Sequence, residues 1–135
     1  QADADNARRY GIPEWKIAER QRQIADPGRF AGVVKAAKAG VPIAFGPDSG
    51  SPAVPHSVVA PELQFMLKIG LVADNYGALH TATSVAAKLN RLESKLGTLE
   101  PGKWADLIVV EGNPLDDLAA LTQVRMTFKG GRRMV

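Results

Sequence analysis

The sequence predicts an α/β chain, and three observations carry that prediction. Apolar residues recur at helical spacing through most of the first two thirds. One short, almost wholly apolar run, residues 41–45, interrupts them directly after a glycine. The last third holds β-branched runs separated by turn residues. The first part therefore reads as a βα unit, and the last part as a separate β layer.

The elements follow in order. Residues 1–9 are polar and expected to fray. Ile12-Pro13-Glu14 opens a helix to Ala25: proline loses no bond at the first helical position, and Glu14 suits the positive end of the helix dipole. Asp26 is expected as the N-cap of the next helix and Pro27 as its first residue. Phe30, Val33, Val34 and Ala37 then mark one buried face, and Gly40 caps the end. The run at 41–45 reads as a strand buried on both sides, as in a parallel sheet, with Pro42 near its start. Gly46-Pro47-Asp48-Ser49-Gly50-Ser51-Pro52 makes a tight loop after it.

Pro61 is expected to begin another helix, with Leu63, Met66 and Leu67 on one face and Gly70 after it. A further helix spans roughly residues 75–90, with Leu79, Ala82, Val85, Ala86 and Leu89 as packing residues. The character changes at Lys95. Residues 96–103 carry two turn signals, and 105–110 form a β-branched run closed by Glu111-Gly112-Asn113-Pro114. Residues 124–129 alternate with period two, Gly130-Gly131 makes a two-residue hairpin turn, and residues 132–135 return.

Composition narrows the function classes. Apolar residues make up 45% and charged residues 23%, which places the 135-residue chain among globular domains rather than disordered ones. The net charge of +3 is scattered, so no nucleic-acid surface is expected. Lys129, Arg132 and Arg133 read as a solvated hairpin end. The absence of cysteine excludes disulfides, thiolate zinc sites and cysteine nucleophiles, and is compatible with a reducing compartment such as the cytoplasm. No apolar run has a membrane-spanning length, so no membrane association is expected. The polar start lacks both a signal peptide and an initiator Met, so the chain is expected to begin inside a longer coding sequence or to have been trimmed.

Several stretches, in this order, together resemble the amidohydrolase superfamily, in particular its imidazolonepropionase-like and prolidase-like members. Residues 40–50, ending in Gly46-Pro47-Asp48-Ser49-Gly50, resemble the last barrel strand with its terminal aspartate. His56, followed by Glu62-Leu63, resembles the P-H-G and E-L elements. Residues 78–89 resemble the family's A-L-x-A-A-T-x-N-A-A-x-L helix, and 96–110 its L-G-T-L-x-x-G-x-x-A-D-L-V-V signature. Asn113-Pro114-Leu115 and the final hairpin continue the match. No one of these is diagnostic alone; their order is. Pro47 stands where Thr is frequent, Val85 replaces a common Asn, and Arg91 a common Gly.

The resemblance implies a (β/α)₈ barrel whose metal site lies at the C-terminal strand ends. Residues 1–94 would be the last βα portion of that barrel, with strand 41–45 and flanking helices. Residues 95–135 would be C-terminal strands of an accessory β-sandwich. In the family a bound metal activates water, and the strand-eight aspartate takes the proton to the leaving nitrogen and often ligates the metal. That role carries over to Asp48 alone. Read from its neighbours only, Asp48 suits an Asx-type turn better than a catalytic role.

The other ligands of the family are an H-x-H pair, a carboxylated lysine or glutamate, and two further histidines. The chain has only His56 and His80, and catalytic zinc takes about three protein ligands. Zinc or another divalent metal is thus expected in the full-length protein, with none in this chain alone. His56 either lines the substrate pocket or sits on the surface, whereas His80 reads as a packing or solvent residue of its helix. Ser49 lies beside Asp48, with no histidine placed by sequence to activate it. The implied function is hydrolysis of a cyclic amide, amide or peptide C–N bond in a small substrate. The alternative is a non-catalytic fragment or self-associating module without a metal site. Exposed strand edges would then seek the missing N-terminal part of the protein, or a second copy as a homo-oligomer.

Overall fold

The computed structural model describes residues 2–26, 28–50 and 54–134. Helices come first: α1 (Ala2–Arg9), α2 (Glu14–Ala25), α3 (Ala31–Lys38), α4 (Val59–Lys68), α5 (Asn75–His80) and α6 (Ala86–Leu89). An antiparallel sheet follows, in the order β1 (Leu107–Val110), β2 (Val124–Lys129) and β3 (Arg132–Arg133). The class is mixed helix and strand, as expected.

The N-terminus departs from expectation, because residues 2–9 are helical rather than frayed. Contacts from beyond the segment account for this. Arg8 reaches across the turn to Glu14 with two bonds, of 2.7 and 3.1 Å, and back to Asp5 at 2.8 Å. Ala7 and Ile17 bury one another, with Ile12 alongside. Pro13 stands at the N-cap of α2 rather than inside it. Asp26 folds into a local turn, its Oδ1 accepting from the Gly28 amide at 2.8 Å, and α3 begins only at Ala31. Pro27, read as a first helical residue, lies outside the described residues, as do Ser51 and Pro52 of the following loop.

Gly40 caps α3 as expected. With φ +86°, it donates to Ala37, while Val41 donates to Ala36. This paired pattern satisfies the last carbonyls of a helix and needs a left-handed residue. Arg91 fills the same position after α6 at φ +56°, with Arg91 donating to Lys88 and Leu92 to Ala87. The common glycine is thus replaced without loss of the motif.

Residues 41–45 do not form the expected strand. A parallel strand exists only beside a neighbour, and among the described residues none lies against this segment. Its Phe45 amide donates instead to the Thr81 carbonyl, at 3.1 Å. The next helix starts earlier than expected. A 3₁₀ turn, His56–Val58, leads into α4, and Pro61 falls within the first helical turn, where its missing amide costs nothing.

Between α5 and α6 the helix widens into a π turn, Thr81–Val85. Asp74 caps the N-terminal end of α5, accepting from the Gly77 amide at 2.7 Å. The main core joins both parts of the chain: Leu63 and Met66 of α4 and Ala78 of α5 pack with Leu118 from a 3₁₀ turn between β1 and β2. Leu63 and Leu118 are each 1% exposed, and burying such a side chain contributes about 2 kcal/mol. Asn75 adds a polar tie, its Nδ2 donating to the Leu115 carbonyl at 2.9 Å.

Gly97 explains the glycine in the 96–110 signature. A β-carbon there would lie 2.7 Å from Ala87 Cβ and 2.9 Å from Ser84 Cα, and φ is +93°. Only glycine lets this loop press against the π turn and α6.

In the sheet, Leu107 pairs with Phe128 and Val109 with Met126, before a bulge shifts Val110 opposite Val124. That shift breaks the simple alternation expected of residues 124–129. The Gly130-Gly131 turn is as expected, with φ of +57° and +78°. Asp106 pins it, accepting from the Gly130 amide at 2.6 Å and pairing with Lys129. No helix among the described residues is long and apolar enough to cross a membrane.

Candidate functional site

The loop that carries Asp48 is held at both ends. Upstream, the Phe45 bond to Thr81 ties it to the start of the π turn. Thr81 is itself buried, its hydroxyl donating to the Ala78 carbonyl at 2.6 Å. Downstream, the Gly50 amide donates to the Val54 carbonyl at 3.0 Å, and the 3₁₀ turn His56–Val58 follows. π turns of this kind occur often beside functional sites, because they re-aim the backbone around them.

Between these anchors Asp48 is exposed and left-handed, with φ +53°. A left-handed conformation costs a residue bearing a β-carbon about 1 kcal/mol, less for Asp than for most. An Asx-type turn would recover that cost through the carboxylate, but Asp48 does not make one. Among the described residues its carboxylate has no hydrogen-bond or ion-pair partner. Asp26, by contrast, does bond back to its own loop. The backbone of Asp48 is strained while its side chain is left available.

The structure brings His56 to the same loop. Its Nε2 lies 3.8 Å from the place a β-carbon on Gly50 would take, two residues after Asp48. His80 has a different setting: exposed at the end of α5, its ring stacks on Tyr76 with centroids 5.6 Å apart. Two features of the loop were not legible beforehand. One is the Thr81 carbonyl as its anchor. The other is the Ser49 hydroxyl, which is buried without a hydrogen-bond partner among the described residues.

Among the described residues, no three His, Asp or Glu side chains come together. Asp48 and His56 offer one carboxylate and one imidazole, fewer donors than the roughly three that a catalytic zinc takes from its protein.

Comparison with known proteins agrees with the arrangement of these elements. The amidohydrolase family matches residues 6–134. A Xaa-Pro dipeptidase, solved with methionine bound in its active site, superposes with a TM-score of 0.73 at 34% identity, covering 98% of this chain and 32% of that one. A prolidase candidate from Bifidobacterium longum gives 0.79 at 32% identity, covering 92% and 30%. Ochratoxinase from A. niger gives 0.68 at 32% identity, covering 87% and 27%. A 5-methylthioadenosine/S-adenosylhomocysteine deaminase from Teredinibacter turnerae is 49% identical over 43 residues, 32% of this chain and 10% of the deaminase. The chain thus spans 32% or less of the length of each of these relatives. It belongs to the amidohydrolase family.

Proposed function

We propose that this chain is the C-terminal part of a hydrolase that cleaves a C–N bond in a small amide or dipeptide, with Asp48 as the proton-transfer carboxylate. Residues 1–94 then supply the last βα portion of a barrel, and 95–135 the closing strands of a β-sandwich. The observation that carries the reading is the Asp48 side chain: exposed, without a partner among the described residues and set on a left-handed backbone between two anchors. Strain without local compensation is characteristic of functional positions.

A divalent metal, zinc or another, would polarise the attacking water, with Asp48 as one ligand and the rest from outside this chain. Asp48 accepts a proton as the water attacks and returns it to the leaving nitrogen, which departs as a neutral amine. His56, beside Gly50, lines the substrate pocket. The dipeptidase and prolidase neighbours favour a substrate with an amide bond to an amino acid.

The full-length protein tests this when incubated with Xaa-Pro dipeptides and the freed proline is followed. Release is expected, lost on chelation and restored by a divalent ion. No release, or release indifferent to chelator, would contradict the reading.

The exposed sheet supports self-association of the isolated chain as a second reading. β1 is an edge strand, and its adjacent Ile108 and Val109 are 49% and 37% exposed. Neighbouring residues of a strand face opposite sides, so both faces of β1 leave apolar surface uncovered. Sedimentation of the 135-residue chain should show concentration-dependent dimers or larger species; a monomer at all concentrations would reject this.

A further inference from the structure

We propose that Ser49 contacts the substrate, its hydroxyl donating to an acceptor oxygen, a carbonyl or a carboxylate, beside the bond that Asp48 helps to break. This inference rests on the hydrolase reading and names a specificity residue within it. Ser49 Oγ is buried and, among the described residues, has no hydrogen-bond partner. A buried hydroxyl without a partner costs about 1–3 kcal/mol, and folded proteins rarely leave one so. The neighbouring groups explain why this one persists. Asp48, its chain neighbour, likewise has no partner among the described residues and is held in a left-handed conformation. Gly50, on its other side, presents no side chain, and the His56 imidazole lies next to it.

The loop therefore offers, in sequence, an acceptor carboxylate, a dry hydroxyl, a residue without a β-carbon and an imidazole. A dry hydroxyl is a strong and selective donor, because no water competes for it and a ligand lacking the acceptor leaves it unsatisfied. Amide and dipeptide substrates carry acceptor oxygens next to the scissile nitrogen. Ser49 takes no part in proton transfer in this scheme, so its loss should act on binding more than on turnover.

The test uses the full-length protein, Ser49→Ala and Asp48→Asn, with Xaa-Pro dipeptides and their C-terminal amides. Ser49→Ala should raise KM about tenfold, with a smaller change in kcat. A rise confined to the free acids identifies the carboxylate as the acceptor, and a rise in both sets identifies the carbonyl. Ser49→Ala should also leave the melting temperature unchanged or higher, since no bond is lost. Wild-type hydrolysis with an unchanged KM in Ser49→Ala overturns the inference alone. A lowered melting temperature also overturns it, by assigning the hydroxyl a structural bond. Failure of the wild type to hydrolyse either set overturns the hydrolase reading and this inference with it.

Discussion

The Phe45 amide donates to the Thr81 carbonyl at 3.1 Å, tying the segment before Asp48 to the first residue of a π turn. The bond joins the widened helix to the segment that leads into Asp48. The Phe45 amide should therefore exchange its hydrogen on the order of tenfold more slowly than the unbonded amides beside it. Exchange by NMR in deuterated buffer measures this; a Phe45 amide as fast as that of Gly46 would contradict the tie.

Gly97 fixes how the loop after α6 meets the helix. An added methyl would stand 2.7 Å from Ala87 Cβ and 2.9 Å from the Ser84 backbone, at φ +93°. Gly97→Ala should destabilise the protein by about 3 kcal/mol, from overpacking and backbone strain together. Urea unfolding of the variant checks this, and a loss below about 0.5 kcal/mol would mean that the contact relaxes freely.

Asp106 gives the hairpin a pH dependence of determinate sign. Lys129 and the Gly130 amide hold its carboxyl below the ordinary value of 3.8. The folded pKa is the lower one, so the unfolded chain binds the proton first as pH falls. The stabilisation is therefore complete above about pH 4–5 and disappears as pH drops through the lowered pKa. Asp106→Asn should be less stable than wild type at pH 7, and the difference should shrink by pH 3. Denaturant midpoints at both values test this; a constant gap would remove the pairing as its cause.

Local chemistry explains which elements were legible in the sequence. The Gly130-Gly131 hairpin and the Gly40 cap were, because a positive φ is written into the residue type. The helix at residues 2–9 was not, since Arg8 gains Glu14, and Ala7 gains Ile17, only once the chain has turned. The strand at 41–45 failed for the same reason in reverse: its apolar run is a strand sequence, but a ladder belongs to two segments. Residues 81–85 look like ordinary helix, because a π turn uses the same residue types as an α turn. In the candidate loop, motif order alone singles out Asp48 and His56. The left-handed backbone of Asp48 and the burial of the Ser49 hydroxyl were not legible, as neither is written into the residue type.

The most direct test of the account is the turnover of full-length Asp48→Asn at saturating Xaa-Pro dipeptide. The amide keeps the size of the carboxylate but cannot accept the proton, so kcat should fall by about 10²- to 10⁴-fold with the fold intact by circular dichroism. A kcat within a few-fold of wild type would contradict the assignment of Asp48 as the proton-transfer residue.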